Sequence, residues 1–263
     1  MSGAELAVEN VTLRFGGLRA LDAVSFAVHP GSLHALIGPN GAGKSSCFNV
    51  ISGLYRAGEG RVRFGEHDIT GIRPNRLAKR GIGRAFQNAA LSPQSTVLDN
   101  VMLGRYSLTR GGFLECGLQL PWVRKQERRH TERAAEICEF LGLGAALHTP
   151  AGALPYGAVK RVDIARALAV EPALLLLDEP AAGMNAAETA ELADTIREIR
   201  EELDISILLV EHDMGLVMGI ADRVTVLDFG RVIADGPPAE VQSDPEVVRA
   251  YLGTDSSDGT EAG

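Results

Sequence analysis

Gly38-Pro39-Asn40-Gly41-Ala42-Gly43-Lys44-Ser45 follows the apolar run Leu33–Ile37 and leads into a helix-prone segment, Lys44 to Ile51. A buried strand, a glycine-rich turn and a helix in this order predict a P-loop. The glycines let the backbone curl so that successive N–H groups face phosphate oxygens. Lys44 supplies a point charge at the β and γ phosphates, and the Ser45 hydroxyl is a candidate ligand for Mg²⁺. The stretch therefore predicts a nucleoside triphosphate site.

Upstream, residues 6–15 and 24–28 alternate and are rich in β-branched side chains, with Gly16-Gly17 between them, which predicts an antiparallel strand pair. Residues 61–64 read as a third strand, and Gly58-Glu59-Gly60 and residues 69–74 as turns. Downstream, composition shifts over residues 103–147 to a glycine-rich loop and then a charged, helix-prone run over 125–141. There Ala134, Ile137, Cys138 and Leu141 fall at helical spacing. A second helix follows Gly157 and runs to Ala169. Residues 174–177 and 206–210 read as short buried parallel strands joined by a helix over 187–203, a βαβ unit. Residues 224–227 and 232–234 flank Asp228-Phe229-Gly230-Arg231, a hairpin turn; the other kinase motifs that would give Asp-Phe-Gly a different meaning are missing. The predicted fold class is α/β: a P-loop NTPase core with a mainly parallel sheet, an N-terminal antiparallel β lobe and an inserted helical subdomain.

The 263 residues, 45% hydrophobic and 23% charged, supply a sizeable core. A net charge of −8 argues against a dedicated nucleic-acid surface, and the basic residues 124–133 read as a solvated helix face. Cys47, Cys116 and Cys138 are an odd set without metal-ligand spacing, which suits a reducing compartment. The start of the sequence lacks a basic-plus-apolar leader, and the apolar runs are too short to span a bilayer, so a cytosolic location is expected. The small, polar residues 254–263 are expected to form a disordered tail.

A bound triphosphate needs a metal partner and a means of activating water. The apolar run Leu174–Leu177 ends in Asp178-Glu179, which sets Asp178 toward Mg²⁺ and Glu179 toward an attacking water. His212, just after the 206–210 strand, falls on the ligand face of a parallel sheet, within reach of a γ-phosphate or its water. Taken alone, Gln87 is bland and Phe15 reads as core or strand packing.

The order of these segments adds a further reading. The chain resembles the ATP-binding subunit of ABC transporters over nearly its whole length. It is most similar to those serving branched-chain amino acid importers, through Arg84-Ala85-Phe86-Gln87-Asn88, Leu154-Pro155-Tyr156-Gly157, Ile164-Ala165-Arg166-Ala167-Leu168, Asp178-Glu179-Pro180-Ala181-Ala182-Gly183, Val210-Glu211-His212-Asp213-Met214 and Ala250-Tyr251-Leu252-Gly253. The resemblance implies that Phe15 stacks on adenine, that Gly38, Pro39, Asn40, Gly41, Ala42, Gly43, Lys44, Ser45 and Ser46 form the Walker A loop, and that Gln87 senses Mg²⁺ and nucleotide. It makes Asp178 the Walker B aspartate, Glu179 the catalytic base, residues 182–185 the D-loop and His212 the switch histidine. It implies one ABC ATPase domain over residues 1–253. It further implies a helical subdomain of about 88–170, with its insert at about 87–147, that contacts the membrane subunits.

Leu154, Pro155, Tyr156 and Gly157 stand where the family's signature reaches the nucleotide of a partner ATPase. Pro155 offers neither hydroxyl nor N–H, and Ala158 stands where glutamine is usual. An Ala158→Gln change is therefore expected to speed hydrolysis. The implied machine binds ATP and Mg²⁺ and closes head to tail with a second copy or a sister ATPase subunit. It drives permease subunits at the cytoplasmic face of the membrane and receives solute from a separate binding protein. Two rivals are a soluble ABC-class ATPase acting on DNA or ribosomes and a nucleotide-binding module without catalysis. A third is the same importer carrying another solute, such as urea or a lipid.

Overall fold

Burial on both faces suits the short, largely apolar strands Leu33–Ile37, Leu174–Asp178 and Ser206–Val210, and all five residues of each are buried. The computed structural model describes residues 3–85, 91–108 and 121–252. In chain order the elements are β1 (Leu6–Phe15), β2 (Leu18–Val28), β3 (Leu33–Ile37), α1 (Lys44–Ile51), β4 (Glu59–Phe64), β5 (His67–Asp68), α2 (Pro74–Ala78), β6 (Ile82–Ala85) and α3 (Val97–Arg105). Then come α4 (Pro121–Phe140), α5 (Tyr156–Leu168), β7 (Leu174–Asp178), α6 (Ala186–Leu203), β8 (Ser206–Val210), α7 (Met214–Ile220), β9 (Arg223–Asp228), β10 (Arg231–Gly236), α8 (Pro238–Ser243) and α9 (Pro245–Leu252).

Two sheets result. A four-stranded antiparallel sheet has the order β2-β1-β4-β5, and a six-stranded sheet has the order β10-β9-β3-β8-β7-β6, parallel except for the β9–β10 hairpin. The expected α/β architecture with an antiparallel N-terminal lobe is what the chain forms. Side-chain alternation decides what each strand faces. Leu174, Leu176, Leu208 and Val210 pack with α1 (Phe48, Ile51) and the antiparallel sheet. Leu175, Leu177, Ile207 and Leu209 point the other way, into a cluster with α3, α4, α5 and α6. Each leucine so buried contributes about 1.5–3 kcal/mol. Leucine's helical preference loses to that burial.

Residues Val97, Val101, Ala134, Ile137, Cys138 and Val162 bind α3, α4 and α5 into one packed unit. Buried Arg105 donates to the Ala169 carbonyl at 3.0 Å and to Glu171 at 3.2 Å, and Glu171 also accepts from Arg133 at 3.1 Å. α8 and α9 close the far side, with Val241 and Val247 against Ala35 and Ile37. Cys47 and Cys138 are buried, and burial pushes their thiols up to about 12 and about 11. Cys116 lies outside the described residues. No helix among the described residues is long and apolar enough to cross a membrane.

Four local expectations change. β2 starts at Leu18 rather than residue 24. Glu59 and Gly60 belong to β4 instead of a turn, because β4 pairs along β1. β6 was not expected: Ile82-Gly83-Arg84-Ala85 carries no apolar run, and pairing with β7 makes it an edge strand. Neither was α3, although Thr96 and Asp99 form a reciprocal capping box at its start.

Candidate functional site

β3, β8 and β7 are neighbours and parallel, so their carboxyl ends deliver the P-loop, Glu211-His212 and Asp178-Glu179 to one edge of the sheet. A cleft of about 420 Å³ opens there, lined by Asn40 to Ser46, Glu179, Phe15 and the hairpin residues Phe229 and Gly230. A second, more apolar cavity of about 360 Å³ lies at the amino ends of β6, β7 and β8, beside Gly81, Ala173 and Ile205.

The loop's curvature is set by backbone that only glycine tolerates. Gly38 has φ +147°, and a Cβ there would lie 2.1 Å from the Leu227 carbonyl oxygen. Gly43, at φ 102°, caps α1 without a side-chain hydrogen bond, leaving the first-turn N–H groups for a ligand. Lys44 Nζ donates to the carbonyls of Gly38 at 2.5 Å and Pro39 at 2.9 Å. Its burial lowers the ammonium pKa, which the Glu179 charge partly offsets. The lysine is thus held in place by two neutral acceptors, and an anionic ligand would complete its pairing.

Period-two alternation carries Asp178 to the α1 face of the sheet, the side of Leu174 and Leu176. There Arg84 of β6 donates to Asp178 Oδ2 at 3.2 Å, to Asn49 Oδ1 at 3.1 Å and to Ser52 Oγ, with its guanidinium 4.7 Å from the centre of the Phe48 ring. Burial raises the Asp178 pKa above the usual carboxylate range; the Arg84 charge opposes the shift and the Glu179 charge adds to it. The next residue turns sharply. Glu179 has φ 46°, unusual for a non-glycine residue, and its N–H donates to Val210 O at 2.8 Å. Its side chain faces the cleft.

His212 is well exposed, with Nδ1 3.8 Å from Glu211 Oε2, and does not line the cleft. Glu211 is fully buried. One of its oxygens accepts the Ala181 N–H at 2.8 Å and the other the His212 N–H at 3.1 Å. Burial raises its pKa and those N–H bonds pull it back. Among the described residues no group of three or more His, Cys, Asp or Glu side chains could hold a metal. The hard oxygens of Ser45 and Asp178 nevertheless suit Mg²⁺, which commonly takes one or two protein oxygens with the rest from phosphate and water.

Leu154, Pro155, Tyr156 and Gly157 lie outside the cleft. Tyr156, half-exposed at the start of α5, donates its hydroxyl to the Ala182 carbonyl at 2.8 Å. Ala158 is 8% exposed and belongs to the core cluster, so its side chain faces inward. That corrects the premise that a longer side chain at this position reaches out to a partner's nucleotide. Phe15 is corrected as well: it is 44% exposed in the cleft, resting edge-on against Tyr55 at 5.2 Å between ring centres, not in the core. Gln87 lies outside the described residues. Arg84 and Glu211 carry the site's buried polar contacts, and sequence reasoning gave neither a role. Their nearest signal was a charged residue beside a strand end.

The chain as a whole is similar to known proteins. The family model described as ABC transporter matches residues 21–182, and that described as branched-chain amino acid ATP-binding cassette transporter matches residues 231–256. The high-affinity branched-chain amino acid transport ATP-binding protein LivG of Salmonella typhimurium is 40% identical over 253 residues, 96% of this chain and 99% of LivG. A nucleotide-free ATP-binding cassette from an ABC transporter superposes with a TM-score of 0.83 at 35% identity, covering 94% of this chain and 98% of that one. A dimeric bacterial ABC transporter cassette superposes at 0.73 with 26% identity, covering 89% and 98%. The chain belongs to the ABC transporter family, as an ATP-binding cassette with ATPase activity.

Proposed function

We propose that this cassette powers an importer for branched-chain or related amino acids. The carrying observation is a single cleft that gathers the P-loop, Phe15 and Glu179 at the carboxyl edge of the parallel sheet. The C-terminal match over residues 231–256 and the similarity to LivG, a branched-chain amino acid transport ATP-binding protein, support the cargo. In this reading Phe15 stacks on adenine and Gly38 to Ser46 wrap the phosphates. Lys44 exchanges two carbonyls for phosphate oxygens. Ser45, Asp178 and Gln87 hold Mg²⁺, which when bound neutralises charge on the phosphates. Glu179 takes the proton of the attacking water, and His212 steadies the γ-phosphate.

Leu154 to Gly157 contribute nothing to the chain's own cleft, which supports their serving the nucleotide of a second ATPase subunit closed head to tail. One related bacterial cassette has a dimeric structure. The unit α3–α5 supports a helical subdomain of about 88–170 within an ATPase domain of 1–253; the tail expected over 254–263 lies outside the described residues. It is the surface proposed to meet permease subunits on the cytoplasmic side of the cell membrane, with a separate binding protein delivering solute. The net charge of −8 disfavours a nucleic-acid partner.

Glu179→Gln tests the chemistry. The variant is expected to bind ATP as tightly as wild type while turnover falls about 100-fold or more; retained turnover would overturn the base assignment. Deleting the gene should abolish high-affinity uptake of leucine, isoleucine and valine, and unchanged uptake would overturn the cargo.

A further inference from the structure

The β9–β10 hairpin turns on two residues, Phe229 and Gly230, with φ of 41° and 78°. Both central residues at positive φ define a turn that favours Asn-Gly or Asp-Gly, and a bulky aromatic at the first position is sterically disfavoured. Packing does not choose it either. Phe229 is 86% exposed, the most exposed large hydrophobic side chain among the described residues.

The tip is nevertheless firmly fixed beside the P-loop. The Gly230 N–H donates to Ala42 O at 2.9 Å, and Gly230 O accepts the Asp22 N–H at 2.8 Å. A Cβ on Gly230 would sit 2.6 Å from Ala20 O, so the two hairpins touch backbone to backbone. Asp22 also binds Arg231 at 2.6 Å and Arg19 at 2.5 Å. A disfavoured residue, held rigidly and left bare, is a pattern concentrated at ligand sites.

Phe229 lines the same cleft as the phosphate loop. The polar floor of that cleft is Asn40 to Ser46. Its large apolar side chains, Phe15, Leu18 and Phe229, come from the tips of two hairpins, which leaves the hairpin end for the flat, weakly polar part of a nucleotide. We propose that Phe229 is a second aromatic contact for the nucleobase, acting with Phe15. The inference rests on reading the cleft as the ATP site and assigns a residue that this reading leaves out.

Calorimetry with ADP, and with pyrophosphate as the base-free probe, tests it on the full chain. Phe229→Asn keeps a residue that tolerates left-handed backbone while removing the ring, so the fold should be at least as stable as wild type. ADP should bind about 5- to 150-fold more weakly, the value of one base–aromatic stack, with pyrophosphate affinity unchanged. Phe229→Trp should restore ADP binding. The inference is overturned if Phe229→Asn binds ADP as wild type does, or loses ADP and pyrophosphate equally. It is also overturned if the variant keeps its ADP affinity and loses only self-association, because the ring then serves a partner cassette. Wild-type protein that binds neither probe overturns the reading of the cleft itself and this inference with it.

Discussion

Removing the Arg84 guanidinium exposes what the Asp178 site costs to build. Arg84 and Asp178 are 14% and 10% exposed, so neither charge is well solvated, and the pair is 3.2 Å apart. Arg84→Met preserves an unbranched stem against Phe48 and deletes the charge, leaving Asp178 without its ion-pair partner. Breaking one side of a buried pair costs about 3–5 kcal/mol. For a chain of this size that corresponds to a melting temperature lower by roughly 6–20 °C.

The loss should depend on pH, and its direction follows from the carboxyl. Burial already raises the folded pKa of Asp178 above its unfolded value of 3.8, with Arg84 as the first opposing influence. Without Arg84 the folded pKa rises further. Over the window from 3.8 up to that raised value the folded state holds a proton that the unfolded chain has released, so stability falls as pH rises. Thermal unfolding should show a deficit relative to wild type that is large near about pH 8 and smaller near about pH 5. The double variant Arg84→Met/Asp178→Asn should recover at least about 2 kcal/mol of the loss, because it removes the stranded charge. A deficit equal at both pH values, with strictly additive double-variant behaviour, would refute the argument and assign the loss to packing.

Gly38→Ala puts a methyl 2.1 Å from a backbone oxygen at a φ that L residues avoid, so it should cost about 3 kcal/mol or more and abolish nucleotide binding; normal unfolding temperature and ADP affinity would show that the loop can yield. Tyr156→Phe removes the hydroxyl bond to Ala182, worth about 0.5–1.5 kcal/mol at most because the ring is half-exposed. ATP affinity should stay constant while hydrolysis falls severalfold, and an unchanged rate would detach this bond from function. Ala158→Gln puts an amide where a methyl is buried in the core cluster, so a loss of about 1–3 kcal/mol with no gain in rate is expected. Faster hydrolysis at unchanged stability would restore the outward-facing reading.

The parts of the site legible in the sequence are those whose physics is local. The P-loop is short-range backbone geometry, and β7 advertises burial on both faces through four leucines before Asp178. The period of two even fixes which face Asp178 takes. Arg84 was not legible because its partners, Asn49, Ser52 and Asp178, are distant in sequence and meet only when β6 joins β7. Phe15 reads as packing from its strand, and only the placement of the hairpin beside the P-loop shows that it faces a cleft. Phe229 carries the same lesson: its turn was readable from Asp-Phe-Gly-Arg, its exposure was not. For α3 the signal was present in Thr96 and Asp99 and outweighed by the glycines that follow.

One buried carboxylate ties the segments that follow β7 and β8 together. Glu211 grips the backbone on both sides of the β7–β8 pair, at Ala181 and at His212, so a displacement of His212 toward a nucleotide strains the bond to Ala181 unless residues 181–182 follow. Each N–H bond to that carboxylate is worth about 1.5–3 kcal/mol, well above thermal energy, so moving together is cheaper than breaking. The adjoining Ala182 carbonyl is held by the Tyr156 hydroxyl, which sits on the first residue of α5. α5 in turn shares its apolar face with α3 and α4. A continuous set of specific bonds therefore runs from the histidine at the end of β8 to the helical unit, and it requires no change in the parallel sheet between them.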